Sequence, residues 1–463
     1  MLLAIVFGAI FFVVFAGLSG FVLTENRLQD QKHSDNEALS IAEAGLEYYR
    51  WYLAHNPGVT DAGTGHAGPY TFNYSDPEGG QTGTYALSIV GNKSCNTLTS
   101  IDITSKGVPS DAPTVSKTLF ARYALPSVAA YSYILNDSVW AGADRVINGP
   151  YHANGGIRMD GTTNAPVSSS LSTWTCTSSF GCSPDTAEPG VFGTGSNSSL
   201  WSYPTPQVDF NGIAANFSSL KTTAIASGLY FNTVSGTNQY LGYHLIFNNG
   251  GTVTVKKVTS TTAISGYPID GSASNFVVEH TVISGESLVG TYTIPSTCGL
   301  IFVADNVWVE GTVSQKVTLV AATVPITGNG PDAILKNNIL YNAYDGTNGL
   351  TLIAAHDVLV APDSPTNMNL NGIFVAQTGA FGRNLYDCTY PSYTTRGTLT
   401  ILGSTVSNKR TGTQWTYSDG CGNNLTSGYA TRIDAFDARN ASNPPPFTPV
   451  TSTAYQFVSW QQL

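Results

Sequence analysis

The sequence predicts a mainly β protein led by one long α-helix, with a small antiparallel sheet after the helix and a large parallel β-helix-like domain beyond it. Three observations predict this class. Residues 1–24 carry no charged side chain and run without a breaker into a polar stretch of helical periodicity. Residues 70–123 then offer short alternating strands between Gly, Pro, Asn and Asp turns. From residue 126 onward, apolar strand segments introduced by Gly recur at a similar phase.

At 463 residues the chain is long enough for about three domain-sized pieces. The divisions fall at 1–55 for the helix, 56–125 for the small sheet, 126–445 for the β-helix-like head and 446–463 for a C-terminal tail. Within the head, an inserted helix and hairpin occupy residues 185–298.

At about 1.5 Å per residue the uncharged run can cross a hydrocarbon core roughly 30 Å thick. No Lys or Arg precedes Glu25, and helical patterning continues past the apolar end. The segment therefore reads as a retained anchor, because a secretory signal would show a basic start and a shorter apolar core. Leu2, Ile5, Phe7, Phe11, Phe12, Phe15, Leu18, Phe21 and Leu23 are the side chains expected to meet lipid or neighbouring helices. Gly17 and Gly20 either weaken the helix there or let another helix approach closely.

Downstream, Leu28, Leu39, Ala42, Leu46, Tyr49 and Leu53 recur at helical spacing. Of these, Leu39, Ala42, Leu46, Tyr49 and Leu53 are expected to pack the helix on the sheet, with Tyr48, Tyr49, Trp51 and Tyr52 covering its apolar face. Asn56-Pro57-Gly58 ends the helix, since Pro has no N–H to donate and Gly permits the reversal.

The uncharged residues 1–23 and the run Ala38-Leu39-Ser40-Ile41-Ala42-Glu43-Ala44-Gly45-Leu46-Glu47-Tyr48 resemble a type IV pilin-like subunit, closest to minor pilins of the PilX type. The resemblance is confined to the helical segment 1–55, and its Ala-Glu-Ala-Gly core is similar to that family's helix signature. It implies a subunit that waits in the inner membrane and then bundles its helix with copies of itself or other pilins in an extracellular filament. The chain departs from the family in having Ile5 where typical pilins carry a Glu, and in showing no Gly-containing basic leader.

Only 11% of residues are charged, against a usual figure of about 25%, so the surface must be built from Ser, Thr, Asn, Gly and Tyr. That coat suits a life outside the cell. A net charge of −10 with scattered Lys and Arg excludes a nucleic-acid partner. The six cysteines form no CxxC or Cys/His cluster and read as disulfides. Cys176 pairs with Cys182, Cys388 with Cys421 and, by subtraction, Cys95 with Cys298, one choice among the 15 pairings that six cysteines allow.

Strands are expected at 70–74, 84–90, 100–105 and 115–123. In the head, Gly299-Leu300-Ile301-Phe302, Gly349-Leu350-Thr351-Leu352, Gly372-Ile373-Phe374-Val375 and Gly397-Thr398-Leu399-Thr400 start at intervals of 50, 23 and 25. That spacing predicts one coil per about 23 to 25 residues, with residues 317–322 as the coil unmarked in the first gap and 149–157 as an outlying coil. A β-sandwich is the alternative. Asp209 is expected to cap a helix whose apolar face is Ile213, Phe217, Leu220, Ala224 and Ile225, ended by Gly228. Two strands follow, joined through Asn248-Asn249-Gly250-Gly251, and the whole unit is expected to cover an end of the stack.

Catalytic chemistry is not expected. Asp160, Arg158, Asp305, Glu310, Asp357, His356 and Arg383 are available, but none forms a local motif. The seven histidines show no metal-ligand spacing. The loops Asp345-Gly346-Thr347-Asn348 and Asp363-Ser364-Pro365-Thr366-Asn367 offer oxygens of the kind calcium takes, without matching a calcium loop; no cofactor is assigned. Gly63-Thr64-Gly65-His66-Ala67-Gly68 spells a dinucleotide fingerprint between a helix end and a strand, the reverse of the context it needs. The functional expectation is a structural filament subunit that displays its head to a cell surface, host or glycan. A low-copy tip or priming subunit and a membrane-anchored polysaccharide-active enzyme are the alternatives.

Overall fold

The computed structural model describes residues 1–76, 78–212, 214–234, 241–418 and 424–463, with backbone only at residues 2, 418, 424 and 425. They form two compact units, one of residues 1–93, 98–125 and 454–463, the other of residues 94–97 and 126–453.

In the first unit, α1 (Leu2–His55) is a single unbroken helix. Asn56 stops it by donating both its backbone N–H and its side-chain amide to the carbonyl of Tyr52, at 2.9 and 3.1 Å. The strands β1 (Tyr70–Ser75), β2 (Gln81–Ser94), β3 (Thr97–Pro109) and β4 (Lys117–Ala124) follow as neighbours in one sheet. The second half of α1 buries Ala38, Ile41, Ala42, Leu46, Tyr49 and Leu53 against Tyr85, Leu87, Ile101, Ile103, Leu119 and Ala121, with Leu39 and Tyr48 partly buried beside them. Trp51 is exposed, because it lies off the stripe that carries Tyr48, Tyr49 and Tyr52.

Residues 446–463, expected as a tail, do not form one. The strand Gln456–Gln462 pairs antiparallel with β4 and closes the sheet, because β4 would otherwise leave a row of backbone groups unpaired. The second unit is thus inserted in the chain between two paired strands of the first.

The second unit is a β-helix-like stack, and its parallel pairings exclude the sandwich. Its first face runs through Leu229–Phe231, Leu300–Val303, Lys316–Ala321, Gly349–Ala354 and the ends of Met368–Ala376 and Thr395–Ser407. It continues into Tyr133–Leu135, Tyr151–Ala153, Val167–Ser169 and Trp201–Ser202. The N-terminal coils therefore stack on the C-terminal ones. Ten strands about 4.8 Å apart put the two ends of this face roughly 43 Å from one another.

Residues 203–212 and 214–228 make the return. Thr205 donates its N–H to Ser169, Val208 to Asn154 and Ala215 to Gln377, after which α2 (Phe217–Ser227) lies against the strand Leu300–Val303. This strap and α2 bury the outer side of the first face, where Leu300, Phe302, Val320, Ile353, Ile373 and Val406 sit with Phe217, Leu220 and Ala224. The inner side holds Ile301, Val303, Leu319, Leu352 and Phe374. Burial on both sides explains why these strands read as continuous apolar runs.

The expected coil length holds on one face only. On the second face Val307, Ala333, Val358 and Phe381 are successive partners, at sequence steps of 26, 25 and 23. On the first face Ile301, Leu319, Leu352, Phe374 and Thr405 are partners at 18, 33, 22 and 31, because the corner loops differ in length. The segment at 397–402 belongs to a different face from its supposed repeats: Leu399 to Leu402 pair with Met368 to Asn371.

The inserted helix is shorter than expected. Asn216, not Asp209, caps it, accepting from the Ser219 N–H at 3.0 Å, while Asp209 holds a turn through the Asn211 N–H. Ile225 is exposed, being more than 80° around the helix from the buried Leu220 and Ala224, and Ile213 lies outside the described residues. The helix flanks the stack and does not cover its end. The hairpin does so in part: Gly242–Asn248 joins the second face in parallel with residues 306–311, and its free edge pairs antiparallel with Thr252–Gly266.

Candidate functional site

The first half of α1 is an extended apolar surface outside any core. Ile5, Phe7, Phe11, Phe12, Phe15, Leu18, Phe21 and Leu23 are all exposed, and the side chain of Leu2 is not described. This is the one helix among the described residues long and apolar enough to cross a membrane. Gly8, Gly17 and Gly20 leave open space where a Cβ would stand, and the helix does not break at any of them.

The Gly of the Ala-Glu-Ala-Gly run has a packing role. A Cβ on Gly45 would lie 2.9 Å from the ring of Tyr85, so the helix can approach β2 only with hydrogen at that position. On the opposite face of the sheet from the helix, Arg122 and Asp102 form a two-pronged ion pair across β4 and β3 at 2.6 and 2.8 Å.

In the second unit the corner leading to the second face carries a ladder. Asn306 accepts the N–H of Asp332, Asp332 that of Asp357 and Asp357 that of Ala380, at 2.9, 3.0 and 2.7 Å. His356 lies within this ladder. Its Nδ1 is 2.9 Å from Asp332 and 3.5 Å from Asp357, and its Nε2 is 3.4 Å from Asp270. Burial alone would lower the imidazole pKa, but Asp270, Asp332 and Asp357 reverse that and push it up to about 10. Burial and the neighbouring Asp332 push Asp357 above the usual carboxylate range. Asp270 moves the other way: burial would raise it, and the facing imidazole and Ser272 hold it below the usual carboxylate range. Of the residues singled out in sequence, only His356 and Asp357 meet here. Asp270 carried no sequence signal, and Asp332 only its spacing of one coil from Asp357.

The other named residues stand apart. Glu310 faces His244 Nε2 at 2.9 Å, and Glu286 faces Nδ1 at 2.8 Å beside Lys256, in a groove of about 450 Å³. Against the upward push of burial, Lys256 and His244 hold Glu286 below its usual range, so both carboxylates here are committed to ion pairs. Asp160 binds Arg158 and the Trp140 indole N–H, each at 2.8 Å, and the Arg158 guanidinium stacks 4.4 Å from the Trp140 ring. Asp305 accepts the N–H groups of Val234 and Asn306. Arg383 is fully buried and donates to the carbonyls of Pro362 and Tyr393. A second groove, of about 590 Å³, lies between Trp140 and Trp415 and is otherwise lined by residues such as Ser178, Arg410, Thr411 and Gln414.

Cys95 is bonded to Cys298 and Cys176 to Cys182. The expected partner of Cys388, Cys421, lies outside the described residues. The two loops considered for calcium satisfy their own acids: Asp345 accepts from the N–H and hydroxyl of Thr347, and Asp363 pairs with Lys336 at 2.9 Å.

No family model matches the sequence, and no curated protein matches it. Among solved structures, the crystal structure of the competence-associated pilin ComZ from Thermus thermophilus is similar at a TM-score of 0.31 and 13% identity, over 93% of this chain and 97% of that one.

Proposed function

We propose that the chain is a pilin-like subunit of a type IV pilus or related extracellular filament, held in the inner membrane by α1 before assembly. The observation that carries this reading is the division of α1 itself. Its second half is buried on its own sheet, whereas its first half exposes an uncharged apolar surface on every side. Such a surface needs lipid or other helices around it. Burying even roughly 1,000 Å² of it between subunits corresponds to about 25 kcal/mol before entropy is subtracted, enough to make a filament cohesive without covalent links.

Adhesion is the output we assign to the head. The groove between Trp140 and Trp415 combines aromatic walls with hydroxyl, amide and guanidinium groups, a combination suited to glycans. The size of the insertion, residues 126–453, favours a tip position in the filament over a shaft position as a second reading. An enzymatic reading needs free converging acids on one face, and Glu286 and Glu310 are instead held by His244. Electron microscopy of sheared filaments with mass-spectrometric stoichiometry tests the proposal: the chain should co-purify with filaments in many copies as shaft or few as tip, and its absence from them overturns the reading.

A further inference from the structure

We propose that the helix contacts of the filament run past the apolar half of α1, along a stripe on which Glu25 of one subunit pairs with Lys32 of a second copy displaced by seven residues. Resting on the filament reading above, this pairing adds to it a partner, a face and a displacement. Helix α1 is unbroken through residues 24–33, and every residue there is exposed, since full burial on the sheet begins only at Ala38. Leu28, 48% exposed, is the one apolar side chain in that stretch. It lies on the same side of the helix as Phe11, Val14, Leu18 and Phe21, and Glu25 and Lys32 fall on that side too, all at alternating steps of three and four. An exposed coiled-coil stripe thus leaves the apolar segment and carries one acid and one base at its outer end.

Seven residues place Glu25 and Lys32 within about 20° of each other around the helix but about 10.5 Å apart along it, too far to meet in one chain. Glu25 has Phe21, Val22, Leu28 and Gln29 three and four residues away, so no cation of its own helix serves it. Lys32 has Asp35 three residues on, but Asp35 is paired with Lys117 at 3.2 Å. Neither Glu25 nor Lys32 has an ion pair among the described residues. Arg27 and Asp30, by contrast, stand three residues apart and can serve one another. A parallel copy displaced by seven residues sets its Glu25 against Lys32 and its Phe21 against Leu28. One displacement therefore matches charge with charge and apolar with apolar. A stripe that faces the axis of a bundle meets one copy displaced outward and another displaced inward, so each Glu25 finds a Lys32 and each Lys32 a Glu25. Complementarity of this kind fixes register more than affinity.

The test uses the full chain in cells that assemble it, with filaments sheared off and quantified. Glu25→Lys and Lys32→Glu should each cut the filament-borne chain about tenfold, and the two together should restore it to within about twofold of wild type. Single variants that assemble as wild type does, or a double variant no better than the worse single one, overturn the proposal. A second measurement does not depend on yield. A chain with both Glu25→Cys and Lys32→Cys should oxidise within filaments to covalent ladders, whereas Glu25→Cys alone should not, because equal positions lie a full displacement apart. No ladder from the double variant, or the same ladder from the single one, also overturns the proposal. Wild-type chain missing from filaments is a different result, and it removes the filament reading itself.

Discussion

A Cβ on Gly107 of β3 would stand 2.5 Å from the backbone nitrogen of Ala42 in α1. Helix and sheet touch there backbone to backbone, so no side chain can be admitted without moving one of them. Gly107→Val should destabilise the first unit by about 1–3 kcal/mol or more, read as a lower urea midpoint of the full chain. An unchanged midpoint would show that the helix sits further from β3 than the structure has it.

Charge in the exposed half of α1 should act on assembly and not on folding. Phe12→Asp places a carboxylate in mid-helix, at a cost of about 2.5–3.5 kcal/mol for a central membrane position. Filaments should be lost while the circular dichroism and melting of the head stay as in wild type. Gly17→Asp should behave in the same way.

The two described disulfides should differ in worth. Cys95 and Cys298 are 203 residues apart, Cys176 and Cys182 only 6. Loop-closure entropy gives about 5 kcal/mol for the first and about 2 kcal/mol for the second. Paired Cys→Ser replacements, compared by denaturant unfolding under oxidising conditions, check the order; equal losses would contradict it.

Glu279 supplies a pH dependence. It is buried, accepts from Tyr386 and Asn384 at 2.9 Å each, and burial pushes its pKa up from 4.5 to about 7. Between those values the folded state holds a proton that the unfolded chain has released, so stability falls as pH rises through this window. Glu279→Gln removes the effect. The variant should gain on wild type by on the order of 3 kcal/mol between pH 4 and pH 8, and a pH-independent difference would show that Glu279 is not held in its neutral form.

The helix and its packing stripe were legible because Ala42, Leu46, Tyr49 and Leu53 repeat within one element at helical spacing. The parallel winding was legible through the apolar strands that follow Gly299, Gly349 and Gly372, which lie on the first face. Its true period was not, since corner loops of unequal length erase it on that face, while the nearly constant steps between Val307, Ala333, Val358 and Phe381 on the second face carry no shared motif. The strand Gln456–Gln462 escaped notice because the whole second unit separates it in sequence from its partner, β4, and its own residues are largely exposed. Asp270 and Asp332 were equally hidden. They reach His356 from separate coils, and only the 25-residue step from Asp332 to Asp357, one coil on the second face, hinted that acids recur at that corner.

The apolar half of α1 should persist in the finished protein, sheltered first by lipid and then by other subunits. Mass spectrometry of the N-terminal peptide from sheared, purified filaments tests it most directly. Filament-borne chains should still carry residues such as Phe12, Phe15 and Phe21. Chains recovered only as soluble monomers, or trimmed to begin beyond Thr24, would contradict it.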